Sequence, residues 1–66
     1  MKLEVDKDAD ALYLYLDDSE IVMTEQVAPG IILDYNQAHD VVGIELLHLS
    51  KRSSTIDLSQ VQFQTA

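Results

Sequence analysis

Three aspartates spaced two apart, Asp6, Asp8 and Asp10, open the stretch DKDADALYLYLDD. D-x-D-x-D is the spacing with which an EF-hand calcium loop presents its first ligands. Such a loop also needs glycine at its sixth position for a sharp turn and a bidentate glutamate at its twelfth. Ala11 and Asp17 stand there instead. The positions between them fall on LYLYL, which alternates like a strand and would draw the ligands apart. The trio therefore reads as turn residues whose carboxylates bond local backbone amides, and no metal is expected.

The two histidines, His39 and His48, lie near Asp40 and Glu45, but nothing has the i, i+4 helical arrangement of a zinc enzyme. Both read as solvent-exposed. Ser50, Ser53 and Ser54 follow His48 without a Gly-x-Ser-x-Gly elbow or a base with its orienting group. Carboxylate pairs are inevitable among twelve acidic residues and argue nothing for acid–base catalysis without a cleft. No catalytic, cofactor-binding or metal-ligating residue is assigned. A small metal- or ligand-binding enzyme using the acidic turn and His48 is the rival reading.

Sixty-six residues allow a single domain. A core of that size barely offsets the entropy of ordering the chain, so small domains lean on disulfides, a metal or association. The chain has no cysteine, which removes disulfides and thiolate zinc and leaves association, with a homodimer as the simplest form. The net charge of −8 repels phosphate backbones and anionic lipid. Direct nucleic-acid or membrane binding is not expected, whereas a basic protein partner is readily accommodated. No signal peptide or membrane-spanning run is evident, so the expected compartment is the cytoplasm.

Short runs of Leu, Ile, Val and Tyr between charged or turn residues predict strands. MKLEV and DALYLYL form a hairpin around the DKDA turn. Alternation sets Leu12, Leu14 and Leu16 on one face of the second strand and Ala11, Tyr13 and Tyr15 on the other, with neither face polar. EIVMTEQVA is a weaker strand. Pro29-Gly30 has the residue order of a type II turn, which splays tight hairpins, so a bend or wider corner is expected. GIILDY and VVGIELL are the firmest strands, joined by NQAHD, and Gly43 marks a bulge or a close backbone approach. In residues 53–66, Val61 and Phe63 alternate with glutamines, favouring an edge strand over a short helix capped by Asp57.

Tyr13 and Tyr15 are suited equally to an interface and to a second small core. Their aromatic face is wrong for stacking on nucleic-acid bases, because the surrounding charge is negative. Lys51 and Arg52 in SKRS read mainly as a solvated loop, with anion holding as the sharper alternative. Together with Phe63 in the C-terminal tail, Tyr13, Tyr15, Lys51 and Arg52 are the candidate interaction residues.

Three motifs in order carry a resemblance: D-x-x-A-D-A-L-Y-L-x-L at Asp6 to Leu16, E-x-V-A-P-G-I-I-L-D-Y at Glu25 to Tyr35, and V-V-G-I-E-L-L-x-L-S-K-R at Val41 to Arg52. With them the chain resembles the domain of unknown function 2283 family of small bacterial and archaeal proteins. NQAHD stands where the family has an acidic-and-glycine turn, a departure confined to the loop. Residues 1–52 are family-like, and the extension 53–66 inherits nothing. The resemblance implies no activity and no catalytic residues. It does imply an antitoxin-like association, since some members are encoded beside small toxins of ribonuclease type. An acidic domain suits the basic, RNA-binding cleft of such a toxin.

The expectation is thus a mainly β (or α+β) domain, a small antiparallel sheet of five or six strands with room for a short C-terminal helix. Its function is read as a non-enzymatic protein–protein interaction module that neutralises a basic partner, with a purely structural homodimer as a third reading.

Overall fold

Alternating apolar runs become five strands in the computed structural model, which describes residues 1–66: β1 (Lys2–Asp6), β2 (Ala11–Tyr15), β3 (Met23–Ala28), β4 (Ile31–Tyr35) and β5 (Val41–Leu46). They form one antiparallel sheet in the order β1-β2-β5-β4-β3, followed by a four-residue helix, α1 (Leu49–Arg52). The protein is mainly β. Its three hairpins are sequential neighbours, and the non-local step is the antiparallel ladder between β2 and β5. No helix is long and apolar enough to cross a membrane.

Register sorts the side chains into rows across the sheet, because residues paired across a ladder share a face. Two rows are apolar almost throughout: Leu3, Leu14, Ile44, Leu33 and Glu25, then Val5, Leu12, Leu46, Ile31 and Ala28. The opposite face carries Glu4, Tyr13, Glu45, Ile32 and Gln26 in one row and Lys2, Tyr15, Gly43, Asp34 and Thr24 in the next. The expected division of β2 into a leucine face and a tyrosine face holds. Ala11, Val42 and Leu49 are the buried apolar residues, and no large side chain is fully buried.

Pro29-Gly30 does not make the wider corner that turn type alone suggests. The two residues close a tight hairpin, with Ala28 opposite Ile31 and Gly30 at φ 71°. A register shift between Gln26 and Ala28 skips Val27, and such a bulge absorbs the mismatch in twist between turn and strands. A second register shift occurs where β4 meets β5, with Asp34 opposite Gly43 and Tyr35 opposite Val41, leaving Val42 between them.

Residues 53–66 form neither the edge strand nor the Asp57-capped helix. Val61 and Phe63 are 38% and 80% exposed, so their alternation does not build a buried strand face. Asp57 closes a local turn instead, accepting from the Ser59 amide at 2.9 Å and the Ser59 hydroxyl at 2.6 Å. The short helix lies earlier, directly after β5.

Candidate functional site

The aspartates of the opening motif serve separate tasks. Asp6 does accept locally, from the amide of Ala9 at 3.0 Å. Asp10 does not. Its backbone is left-handed at φ 56°, and its carboxylate accepts from the amide of Ser50 at 3.1 Å and from the Ser50 hydroxyl at 2.7 Å. Its carbonyl also accepts from the amide of Leu49 at 3.1 Å. His48, at the position before α1, makes no side-chain capping bond, so Asp10 satisfies the helix amides from forty residues away. No group of three or more His, Asp or Glu side chains is placed to hold a metal ion.

Across the centre of the polar face, β2, β5, β4 and β3 cooperate around one buried carboxylate. Asp34, 6% exposed, accepts at one oxygen from the Thr24 hydroxyl at 2.6 Å and at the other from the Tyr13 hydroxyl. Gly43 makes this reach possible. A Cβ there would meet Tyr13 Cζ at 2.9 Å and Asp34 Oδ2 at 3.2 Å, so the phenol crosses β5 only where a side chain is missing. Burial first, then the hydrogen bond to Asp34 and the charges of Asp34, Tyr15 and Glu45, raise the Tyr13 hydroxyl above its ordinary pKa of 10.0.

Tyr15 is placed differently. Its ring lies 4.3 Å from that of Tyr13, centroid to centroid, and stays 37% exposed. Lys2 sits across the ladder, with its ammonium 5.1 Å from the Tyr15 ring centre and 3.7 Å from Glu4. Glu4 in turn accepts from the Tyr15 hydroxyl at 3.3 Å. Beside them lies a shallow recess bounded by Glu4, Asp6, Glu45 and the two rings. Three carboxylates around two aromatic rings form a surface for a cation: the ring faces attract it through their quadrupole and the carboxylates through charge.

The other candidates fall elsewhere. Arg52 is tied into the fold, donating to the carbonyls of Pro29 at 2.6 Å and Leu47 at 3.3 Å. Lys51 and His48 share a shallow recess with Arg52, Gln26, Pro29 and Gly30, and no residue of the acidic turn lines it. Phe63 lies in the tail and joins neither recess. His39 is exposed in the β4–β5 turn and stacks on Tyr35 at 4.7 Å. Lys2, Glu4, Glu45 and Asp34 did not stand out as site residues. Glu4 and Glu45 both pair with Tyr13 in register, yet only the non-local β2–β5 ladder brings Glu45 there.

Comparisons with curated proteins and with solved structures found no match. One family model matches over residues 2–50, the span from β1 to the start of α1 that contains the Asp10 cap, the Asp34 network and the recess. The chain belongs to the family described as protein of unknown function DUF2283.

Proposed function

We propose that the chain is a non-enzymatic association module whose polar sheet face takes up a cationic side chain of a basic protein partner. The observation that supports this is Lys2, which lies over the Tyr15 ring and beside Glu4. The chain's own ammonium thereby adopts the geometry in which a partner's lysine or arginine would be held. Asp6 and Glu45 bound the neighbouring recess, which Lys2 does not line, and supply further negative charge for an incoming cation. A net charge of −8 adds long-range steering toward a basic protein. A small basic toxin, the kind of partner the family resemblance implies, has the required chemistry.

The test is calorimetric titration of the full chain with an arginine-rich peptide as probe, at low and high salt, alongside Tyr15→Ser and Glu45→Gln. Binding that weakens with salt and falls in both variants is expected. Association unchanged in both variants sinks the assignment of this face. Purification from the native cell should, in parallel, bring down a basic protein.

A further inference from the structure

We propose that the opposite, apolar face of the sheet seats a second copy of this chain, stacked face to face so that two single sheets close into a sandwich. This concerns a different surface and does not rest on the reading of the polar face.

The face is apolar and wide, and no other strand or helix of the chain packs across it to any extent. Leu3, Leu14, Ile44 and Leu33 run across four strands, with Val5, Leu12, Leu46 and Ile31 beside them. All eight are only partly buried. Leu16 and Met23, placed on the same face by alternation, are each 39% exposed. A four-residue helix is too short to roof five strands. The tail forms no continuous layer either: Leu58 is half-buried, but Ile56 and Val61 are 38% and Phe63 80% exposed, and no strand or helix forms there. A sheet normally buries one face against another layer, and here that layer must come from outside the chain.

A copy of the same face fits it better than a basic partner does. The two rows carry one charged residue, Glu25, on the edge strand β3. A cationic protein would find no anchoring carboxylate at the centre. A two-fold axis running along the strands sets β3 of one copy over β1 of the other, which leaves the Glu25 carboxylates at opposite edges. Aligned sheets pack about 10 Å apart with interdigitated side chains. Five strands at ~4.8 Å spacing and about 17 Å long give a footprint of roughly 400 Å² per copy. Two such footprints make roughly 800 Å² before side-chain relief is counted, the size of a weak interface, so the pairing is expected to depend on concentration.

Charge sets the sign of the salt dependence. Two copies at −8 each repel, so screening strengthens their stacking, whereas it weakens capture of a cation by the polar face. Failure of one inference is therefore distinguishable from failure of the other.

The experiment is sedimentation equilibrium of the full chain over a rising concentration series at low and high salt, with denaturation midpoints measured at the same concentrations. The expected mass rises from 7.4 kDa toward twice that value, at lower concentration in high salt, and the midpoint rises with concentration. Isotope-filtered NOEs between labelled and unlabelled copies should connect Leu14, Leu33 and Ile44. Met23→Glu, at a rim position, should raise the dimer dissociation constant at least tenfold with circular dichroism unchanged. A monomer with a constant midpoint throughout the series overturns the proposal. So does a dimer whose intercopy contacts map to Tyr15 or to the β3 backbone edge.

Discussion

The carboxylate of Asp10 holds both the amide and the hydroxyl of Ser50, joining the first turn of the chain to the helix after its last strand. The bond lies at the end of the β2–β5 ladder, where Leu12 opposes Leu46. It therefore clasps the one non-local strand pairing that holds the two halves of the sheet together. Arg52, from the same helix, reaches the Pro29 carbonyl in the β3–β4 turn. A helix of four residues is marginal by itself; its role here is to tie two turns to one end of the sheet.

Asp10→Ala is expected to destabilise the fold by about 1–2 kcal/mol, the usual cost of losing a helix cap, with a further increment because alanine lacks the short polar side chain that makes the left-handed backbone at φ 56° tolerable to Asp or Asn. Asp10→Asn keeps an acceptor and tolerates the left-handed backbone, so it should retain most of the stability. Urea denaturation of the two variants checks this. Equal losses in both would show that the negative charge, not the capping geometry, is what matters.

Gly43→Ala is expected to cost about 1–3 kcal/mol, the range for overpacking a filled site. The added methyl meets Tyr13 Cζ at 2.9 Å. In a Tyr13→Leu background the same substitution should cost much less, since residues in contact couple. A double-mutant cycle measures the difference, and additive losses would mean that the glycine serves the bulge alone.

Tyr13→Phe leaves one oxygen of the buried Asp34 carboxylate without the hydroxyl that satisfies it, for an expected loss of about 1–3 kcal/mol. The wild type has a further signature at high pH. Because folding raises the Tyr13 pKa above the unfolded value of 10.0, the unfolded chain gives up this proton first. The contribution is complete below about pH 10 and is lost as pH rises toward the folded pKa. Stability measured against pH should therefore fall on the alkaline side in the wild type, and this component should vanish in Tyr13→Phe.

What could be read from the residues alone follows the range over which each signal acts. Period-two alternation is local, so all five strands and the leucine and tyrosine faces of β2 are legible, and a glycine inside a strand, Gly43, reads as a bulge or a close backbone approach. Asp34 is not legible. In GIILDY it is one polar position in a strand, and its burial depends on Tyr13 and Thr24 arriving from β2 and β3. Asp10 misled for a related reason, since an aspartate in a turn has local amides within reach and its actual partner is contributed by α1. The tail shows the converse: Val61 and Phe63 alternate as a strand does, but alternation has no consequence without a surface to bury against.

Removing residues 54–66 should change stability by no more than about 0.5 kcal/mol, the scale of ordinary surface changes. The segment contains no strand or helix, and most of its apolar side chains are exposed. Ser53 and the Arg52 bonds to Pro29 and Leu47 are retained in that truncation. Thermal unfolding of the truncated chain checks it, and a large drop in midpoint would assign the tail a packing role.

Tyr13 and Tyr15 are neighbours on one face with different commitments, and substitution should separate them. Tyr13→Ser removes the partner of Asp34, so it is expected to lower both stability and any binding on that face. Tyr15→Ser breaks the bond to Glu4 at 3.3 Å and the contacts of a partly exposed ring with Tyr13 and Lys2, none of which satisfies a buried group, so stability should be nearly preserved while affinity for an arginine-rich peptide falls severalfold. Lys2→Ala acts in the opposite sense: it removes the ammonium held over Tyr15 and beside Glu4, and the peptide should bind more tightly because no internal cation competes. Calorimetric titration of the three variants reads all of these outcomes. Weaker binding in Lys2→Ala would mean that Lys2 organises the face rather than occupying it.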